Sequence, residues 1–479
     1  MKTMNVVVLG LIMVMASAET GSFPPPPPNV DVDHIVHTCY EHLESHLCKG
    51  AKWGLPFHFY RPSLQKYSAD QWLWDSGAHM IVWSQKNISN AVADMRTMLQ
   101  MQQPDGRIPE QVYWSDRSAK ENAELLLTYS NTKFTDTTQM PVLPYSLRAI
   151  FEHAETKEDG KAYLKEFLPP LIRYFQWWRA TRDTNQDGLV TAIHNWETGL
   201  DASPAYDPAY DVYITNVNAT SWSWLYPKFI EVVESYKFLY KWNVTEILAR
   251  DEAPSPPKRL DSWFKVKDLA LNCVYASGWR ILGELAKEME EMEEEDGNGT
   301  STAIQEMCLQ EAKTTSRAIQ THMWDASQQR FQTVYTDVDG VDKFAHANTI
   351  QNLFPLLLED LPEGNVTQIV QQLQDKTKFS ARFSVPTVAM DDPQFCPTFD
   401  ADLMWRGPVW GFTNWFLLEG LGLHKQWDVQ SEILTSWVTL VQQSGIYEHY
   451  NPFTGEGYGA VGLGMSTLVC DWIFKYGWG

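Results

Sequence analysis

The apolar positions of this chain repeat with helical spacing along most of its length. Leu171, Phe175 and Trp178 fall at i, i+4 and i+7, which is one face of an α-helix. A similar stripe is formed by Val429, Ile433, Trp437, Leu440 and Val441. The alternation typical of strands is limited to short pieces such as residues 330–334. The pattern predicts a mostly α-helical protein with one large domain.

Loops rich in Trp, Pro, Gly and Asp separate the helical segments and hold the residues with chemical promise. Such residues commonly lie on loops that a rigid scaffold positions. Helix pairs joined by long functional loops favour an α-helical toroid, with the site where the loops converge. One long helix is predicted from Lys267 to Met292. It runs into an acidic stretch that we interpret as a solvated hairpin rather than a metal site.

The first residues have the pattern of a secretory signal peptide over residues 1–18. Lys2 gives a positive start, residues 6–14 are an apolar run, and Ala16-Ser17-Ala18 is a small-residue cleavage site. The run is too short to span a bilayer, which needs about 20 apolar residues, so we expect no membrane anchor. Residues 19–33 are a Pro-rich spacer, and residues 34–479 are predicted to form a single domain.

Glycosylation sequons agree with passage through the secretory pathway. They are found at Asn87, Asn218, Asn243, Asn298 and Asn365. We therefore expect a secreted protein, or one in the lumen of a secretory or lysosomal compartment.

The charge balance limits the possible partners. The 38 Lys and Arg residues and 60 Asp and Glu residues give a net charge of −22. This argues against nucleic acid or an anionic membrane as a partner. Trp is frequent, with 21 residues, which suits the stacking of sugar rings but also suits core filling in large helical enzymes.

The 6 cysteines form an even set, so disulfide bonds are possible. Cys39 and Cys48 are the pair we expect, because they close a short local loop. No CxxC or Cys/His cluster suggests zinc.

Two distant segments each offer a carboxylate in an aromatic, turn-forming setting. Asp201 lies within residues 194–204 (HNWETGLDASP), and Glu448 lies within residues 446–455 (IYEHYNPFTG). Gly, Asn and Pro in these segments favour turns that present the carboxylates. Hydrolysis of a glycosidic bond needs one carboxylic acid to protonate the leaving oxygen and a second carboxylate on the far face of the sugar.

Several segments in this order resemble a clan of inverting α-glycosidases that includes trehalases, the processing α-glucosidase of N-glycan maturation and mannosylglycerate hydrolases. The similarity is greatest to members resembling the mannosylglycerate hydrolases. The matching segments are QWLWDSG (71–77), QQPDGRIP (102–109), TQMP (138–141), the Asp201 segment, DLMWRGPVWG (402–411) and the Glu448 segment. This resemblance implies an (α/α)6 barrel, an all-α helical toroid with long functional loops.

The resemblance also implies roles for individual residues. Asp201 would be the general acid and Glu448 the general base that activates water. Glu197 is the main rival of Asp201 as the acid and would otherwise support the site or bind sugar. The other residues expected to bind substrate are Trp74, Asp75, Gln139, Trp196, Arg406 and Trp410. Arg406 has a second interpretation, as an ion pair that holds a barrel loop.

The chain departs from its relatives at two replaced segments, and the caps of the processing enzymes also have no evident counterpart. Ala202 and Ala205 replace the Asn and Arg that follow the acid in many relatives, and Gly462-Leu463-Gly464-Met465-Ser466 replaces a Phe-x-Trp segment that helps to wall the site. The first change removes polar contacts on the leaving-group side. The second predicts a different pocket shape or altered activity.

Asp183, Asn185 and Asp187 follow the opening pattern of a calcium loop, D-x-N-x-D-G. His194 stands at the twelfth position, where an EF-hand requires Glu, so the alternative is an Asx turn between helices. Apart from a structural calcium ion at this turn, we expect no cofactor.

These features predict a secreted inverting α-glycosidase acting on a small α-glucosyl or α-mannosyl conjugate, such as mannosylglycerate, glucosylglycerate or an α-linked disaccharide. The first alternative is a secreted carbohydrate-binding protein on the same barrel that does not hydrolyse its ligand. A polysaccharide lyase is a third possibility, but the acidic chain gives no sign of the basic cleft that such an enzyme needs.

Overall fold

The computed structural model describes residues 23–129, 131–217, 264–291, 300–398 and 404–479. The predicted signal peptide, the sequons at Asn218, Asn243 and Asn298, and residues 292–299 of the acidic stretch lie outside these ranges. The α-helices of the described chain are α1 (Val32–Ser45), α2 (Leu73–Lys86), α3 (Ile88–Leu99), α4 (Ala119–Tyr129), α5 (Leu143–Glu152), α6 (Lys157–Arg182), α7 (Asp207–Val217), α8 (Leu269–Glu291), α9 (Thr300–His322), α10 (Glu363–Gln374), α11 (Gly411–Leu423), α12 (Trp427–Ser444) and α13 (Val469–Lys475).

Short 3-10 helices and strands connect these helices. The 3-10 helices include Asn195–Thr198, Pro204–Tyr206, Ile350–Leu357 and Gly464–Leu468. The strands are β1 (Leu47–Lys52), β2 (Leu55–Tyr60), β3 (Gln71–Trp72), β4 (Gln111–Val112), β5 (Val266–Lys267), β6 (Trp324–Asp325), β7 (Arg330–Phe331), β8 (Val334–Thr336), β9 (Asp342–Phe344), β10 (Tyr447–Tyr450) and β11 (Gly457–Val461). The pairs β1–β2, β3–β4, β6–β7 and β10–β11 are antiparallel, and β8 lies between β5 and β9.

The helices form a closed double ring. The inner ring runs through α2, α5, α8, Ile350–Leu357, α11 and then Gly464–Leu468 with α13, which packs back against α2. Each inner element has an outer partner: α3, α6, α9, α10, α12 and α1, in the same order. The first helix of the described chain therefore completes the ring by packing against the last. This arrangement confirms the predicted (α/α)6 barrel.

The apolar pattern of a helix follows its place in the rings. The inner helix α2 is buried continuously from Leu73 to Ser84. The outer helix α6 buries Leu171, Phe175 and Trp178 and exposes positions between them, such as Arg173. An outer helix is amphipathic because only one face meets the inner ring. The stripes detected in the sequence belong to the outer helices α6 and α12.

Two sequence-based boundaries are corrected. The long helix begins at Leu269 rather than Lys267, because Val266 and Lys267 form β5 and pair with β8. The strand-like piece at 330–334 is divided between β7 and β8, which belong to different small sheets.

Surface features bear on the secretion and membrane predictions. Asn87 is exposed and Asn365 is half-buried, so both sequons lie at the surface. Across the described ranges, the helices lack the combination of length and apolar character needed to cross a bilayer.

The predicted Cys39–Cys48 disulfide is not supported. Cys39 is fully buried on α1, and its thiol contacts that of Cys470 on α13. Cys48 lies on β1 in a separate cluster with Phe59 and Trp114, and its Sγ is 3.6 Å from the carbonyl oxygen of His46. All six cysteines are free thiols in the structure. Closeness in sequence was a poor guide, because α1 turns Cys39 toward the barrel interior.

Candidate active site

The Asp201 loop is held against the inner barrel by hydrogen bonds on both sides. The side-chain amide of Asn195 and the hydroxyl of Tyr210 each donate to the backbone carbonyl of Asp201, at 3.1 Å. Beyond the turn, the Ser203 hydroxyl donates to Gln351 (2.8 Å), whose amide donates to the buried carboxylate of Asp268 (2.8 Å). The loop is therefore fixed to two inner elements, which gives Asp201 a defined position.

Gly199 allows this loop to approach Trp74 closely. It ends the 3-10 helix Asn195–Thr198 with φ of 72°, in the left-handed region that favours glycine. A Cβ at this position would lie 2.4 Å from the Trp74 ring. The loop backbone therefore lies directly on the Trp74 indole.

The surroundings of the Asp201 carboxyl raise its pKa. Burial raises its pKa to about 7, and the negative charge of Glu448 acts in the same direction. Its own backbone hydrogen bond and the positive charge of Lys66 oppose this rise without cancelling it. A substantial fraction of Asp201 is therefore protonated near neutral pH.

Glu448 has the opposite character. Burial alone would raise its pKa, but the Lys66 ammonium and hydrogen bonds from Lys66, Tyr67 and the backbone N–H of Ala460 hold that pKa below its usual value. The Nζ of Lys66 lies 2.9 and 2.8 Å from the two carboxylate oxygens. The Tyr67 hydroxyl donates at 2.6 Å and the Ala460 N–H at 2.7 Å. Glu448 is thus fully buried and ionised.

The β10–β11 hairpin brings its own backbone against this carboxylate. Gly459 has φ of 71°, and a Cβ there would lie 2.3 Å from the Oε2 of Glu448. The pairing register of the hairpin shifts between Tyr447 and His449, and Glu448 is the residue at this irregularity. Irregularities of this kind re-aim a side chain, and here the carboxylate points into the hairpin and the neighbouring Lys66–Tyr67 segment.

Lys66 and Tyr67 were missed by the sequence analysis. They lie between β2 and β3, a few residues before the QWLWDSG motif, where only their closeness to that motif could have marked them. The charges of Glu448, Asp75 and Asp201 all raise the pKa of Tyr67, after burial as the main cause. The Tyr67 hydroxyl therefore contacts Glu448 and lies within electrostatic reach of Asp75 and Asp201.

We expect Lys66→Met to move both limbs of the pH profile of kcat/KM to higher pH. Loss of the ammonium removes the positive charge that lowers the pKa of Glu448 and of Asp201, so both carboxyls keep their protons to higher pH. At pH 5 the loss of activity should be about tenfold, the size expected for one charge-assisted partner. Lys66→Arg keeps the charge and is the matched control. An unchanged acidic limb in Lys66→Met would contradict this role.

Trp74 and Asp75, at the start of α2, are the predicted floor of the sugar site. Asp75 is 5% exposed, and burial raises its pKa to about 8, with a further contribution from Glu448 and opposing hydrogen bonds. The backbone N–H of Trp74 donates to Oε1 of Gln139 at 3.1 Å. Gln139 therefore braces the floor through the start of α2.

Trp405, Trp410 and His449 form an aromatic stack beside Trp74. The rings of Trp405 and Trp410 are 3.9 Å apart and nearly parallel, and Trp410 is stacked on His449 at 5.0 Å. The indole N–H of Trp410 donates to the carbonyl of Met404 at 2.8 Å, which fixes the ring. Trp405 also lies 6.4 Å from Trp74, so the stack connects the floor with the Glu448 strand.

Trp196 and Glu197 diverge although they are adjacent in sequence. Trp196 is half-buried beside His194, at 4.6 Å between ring centroids. Glu197 is fully buried, and its carboxylate accepts hydrogen bonds from Arg182 (2.7 Å) and the backbone N–H of Ile193 (3.0 Å). The ion pair with Arg182 of α6 and the bond to its own loop fit the supporting role considered from the sequence.

Arg406 follows the ion-pair interpretation. It is 8% exposed, and its guanidinium donates to Asp207 at the start of α7 and to Gln394. These bonds join the Trp405–Trp410 segment to the helix that follows the Asp201 loop. The bidentate fork expected for substrate is therefore engaged by protein groups.

The Gly462–Ser466 segment packs behind Glu448. The Gly464 N–H donates to the carbonyl of Pro62 (2.8 Å), and the Ser466 hydroxyl donates to the carbonyl of Tyr447 (2.6 Å). A Cβ on Gly464 would lie 2.2 Å from His79. The altered segment is thus a close-packed support of β10. Of the other two replacements, Ala205 is buried and Ala202 is half-buried.

The candidate calcium turn is held by cationic side chains. Asp183 accepts from Arg179 at 2.9 Å and from the backbone N–H groups of Asp187 and Gly188, in the manner of an Asx turn. Asp187 accepts from Lys267. Within the described ranges, His, Cys, Asp and Glu side chains form no group of three or more suited to a metal. The calcium ion stays a prediction.

Comparison with known families gives a match over residues 67–466 to the mannosylglycerate hydrolase MGH1-like glycoside hydrolase domain. The chain is 26% identical to mannosylglycerate hydrolase MGH1 of Selaginella moellendorffii, over 85% of this chain and 80% of that protein. It is 23% identical to the glucosylglycerate hydrolase of Mycolicibacterium hassiacum, over 84% of this chain and 91% of that protein.

Solved structures give the same fold. The GH63 mannosylglycerate hydrolase of Thermus thermophilus, crystallised with glucose, superposes with a TM-score of 0.71 at 22% identity and covers 92% of this chain and 100% of that chain. The neutral trehalase Nth1 of Saccharomyces cerevisiae gives a TM-score of 0.56 at 14% identity, over 94% of this chain and 80% of that chain. At these identities the likeness shows the fold alone.

The family match spans most of the chain and includes Tyr67, the floor residues, Asp201, the aromatic stack and Glu448. The barrel, the converging carboxyl groups and the family match agree with one another. This chain therefore belongs to the MGH1-like family of glycoside hydrolases and is a glycoside hydrolase.

Proposed function

We propose that this protein is a secreted inverting α-glycosidase that hydrolyses a small α-mannosyl or α-glucosyl conjugate, with glycerate as the first aglycone to test. The main support for the mechanism is the opposite direction of the pKa shifts of two carboxyl groups that lie within electrostatic reach of each other. The pKa of Asp201 is raised to about 7, whereas the pKa of Glu448 is held below its usual value. Such divergence supports Asp201 as the acid and Glu448 as the base.

In this mechanism the neutral carboxyl of Asp201 gives its proton to the glycosidic oxygen as the bond to the anomeric carbon breaks. The Glu448 carboxylate takes a proton from a water molecule, whose oxygen attacks the anomeric carbon from the opposite face. The products are the free sugar with inverted anomeric configuration and the alcohol of the aglycone. Asp201 ends ionised and Glu448 protonated, so a proton must return through solvent before the next cycle.

The remaining pocket residues bind and orient the sugar. The aromatic surfaces of Trp74 and Trp405 suit the CH-rich face of a pyranose ring. Asp75, with a pKa of about 8, is mostly protonated at pH 7 and can both donate to and accept from sugar hydroxyls. The charges near the reaction centre are then the Glu448 carboxylate and the Lys66 ammonium, which balance each other.

The choice of aglycone is supported by the relatives, which include hydrolases of mannosylglycerate and of glucosylglycerate. Sugar release from α-mannosylglycerate, α-glucosylglycerate, trehalose and short α-glucans tests it directly. We expect turnover of a glycosylglycerate, with kcat/KM at least tenfold above that for trehalose. Turnover of trehalose or glucans alone would reject glycerate as the aglycone. Secretion is supported by the signal-like leader and by the surface position of Asn87.

We expect kcat/KM to follow a bell-shaped pH profile. Asp201 must be protonated, so activity should fall as the pH rises through about 7, the pKa to which burial raises this carboxyl. Glu448 must be ionised, and its lowered pKa places the acidic limb below the usual range for Glu. Initial rates between pH 3 and 9 measure both limbs. Constant activity up to pH 9 would contradict the assignment of the acid.

A further inference from the structure

We propose that Cys39 and Cys470 form a disulfide bond that closes the barrel between its first and last helices. Cys39 lies on α1 and Cys470 on α13, and these two helices pack against each other. Both side chains are fully buried, and the two thiols are in contact. A disulfide requires two cysteines that lie close together with their side chains facing each other, and the contact between α1 and α13 provides this arrangement.

The other cysteines do not offer an equivalent pair. Cys308 on α9 faces Gly283 of α8, because a Cβ on Gly283 would lie 3.3 Å from the Cβ of Cys308. Cys273 lies ten residues earlier on α8, which is about 15 Å along a helix axis. A disulfide between Cys273 and Cys308 would therefore require a large backbone movement, since bonded cysteines have Cα atoms within about 7 Å.

Cys48 and Cys396 have local surroundings of their own. Cys48 lies beside the backbone of His46, and Cys396 lies 3.6 Å from the hydroxyl of Thr398. Both are half-buried rather than buried in the main core. Cys39 and Cys470 are thus the cysteines whose thiols the fold brings together.

Formation of the bond is an oxidation that needs an electron acceptor. The two thiols lose two protons and two electrons, and an incoming disulfide, either of an oxidoreductase or of glutathione, is reduced to two thiols. Burial raises the pKa of the Cys470 thiol, so little thiolate is available once the barrel has closed. The exchange therefore belongs to folding, before α1 and α13 are fully packed.

The bond would reinforce the support behind Glu448. Helix α1 packs against both α13 and the 3-10 helix Gly464–Leu468. A Cβ on Gly462, which lies just before that helix, would be 2.7 Å from His42 of α1. The same segment supports β10 through Ser466. A disulfide between α1 and α13 therefore restrains the segment that supports β10, the strand that carries Glu448.

Peptide mapping of the full chain tests the bond, on protein exported by a secretory host and on protein refolded with glutathione disulfide. Free thiols are alkylated under denaturing conditions without reductant, and the chain is cut with trypsin and Glu-C. Cleavage at Glu41 and Glu44 separates Cys39 from Cys48. We expect a Cys39–Cys470 linked peptide that disappears on reduction. Alkylation of both residues, or a Cys39–Cys48 link, would overturn the proposal.

Thermal unfolding gives an independent test. We expect reduction to lower the Tm of the wild type by about 5 °C or more, because the bond closes almost the whole chain into one loop. The Cys39→Ala and Cys470→Ala variants should show no such difference between reduced and oxidised samples, whereas Cys308→Ala should keep it. If the Tm difference persists in Cys39→Ala, the stabilising bond lies elsewhere and the proposal fails. These readouts do not depend on the substrate.

Discussion

We expect Asp201→Asn to reduce kcat on a glycosylglycerate by at least about 100-fold while the protein remains folded, within the 10²–10⁴ range of general acid catalysis. An amide of similar size keeps the contacts of the loop, because the Asn195 and Tyr210 bonds are made to the backbone carbonyl of Asp201. What is lost is the proton delivered to the glycosidic oxygen.

A substrate whose leaving group needs no proton distinguishes a general acid from a residue with a structural role. Fluoride leaves without protonation, so Asp201→Asn should keep most of its activity on an α-glycosyl fluoride while losing it on the glycosylglycerate. Asp211→Asn, at an exposed position on α7, is the matched control and should behave as wild type. Equal losses on both substrates would show that Asp201 is not the acid.

We expect Glu448→Gln to reduce kcat by a similar factor, at least about 100-fold, on both kinds of substrate. The carboxylate is ionised and held by Lys66, Tyr67 and Ala460. An amide cannot take a proton from water, so the attack on the anomeric carbon loses its base whatever the leaving group. Rates with the glycosyl fluoride and the glycosylglycerate, measured side by side, check this pattern.

Added azide sharpens the second test. Azide needs no deprotonation, so it should restore activity to Glu448→Gln on the α-glycosyl fluoride and give a β-glycosyl azide. Glu456→Gln, an exposed carboxylate at the same hairpin, is the control and should gain nothing from azide. Near-normal hydrolysis by Glu448→Gln would reject Glu448 as the base.

The sequence predicted the barrel through the similarity of its motifs more than through periodicity. Stripes such as that of Leu171, Phe175 and Trp178 indicate a helix with one buried and one exposed face, as in the outer helix α6. Inner helices such as α2 are buried on all sides and give no stripe. Nor can periodicity reveal that α1 pairs with the last inner element, since that contact joins the two ends of the chain.

Within the site, the motifs identified candidate residues whose roles can be inferred from their own sequence segments. Asp201 and Asp75 each lie within electrostatic reach of Glu448, and the Asp201 loop lies on Trp74, whereas their roles stay predictions. Lys66 could not be assigned from the sequence, because its role depends on a contact with Glu448 across 382 positions.

Glu197 and Arg406 are motif residues that the fold uses for internal ion pairs. Both types of side chain suit sugar binding, and both stand inside matching motifs. In the structure, Arg182 occupies the carboxylate of Glu197, and Asp207 occupies the guanidinium of Arg406. A sequence gives the donors and acceptors of a motif, but only the fold decides which of them remain open to a substrate.

The most direct test of the acid–base pair is proton NMR of the purified protein acting on α-mannosylglycerate and α-glucosylglycerate. An inverting pair predicts that the β-anomer of the released sugar appears first and that the α-anomer follows by mutarotation. Initial release of the α-anomer would mean retention through a covalent intermediate, and would contradict the roles assigned to Asp201 and Glu448.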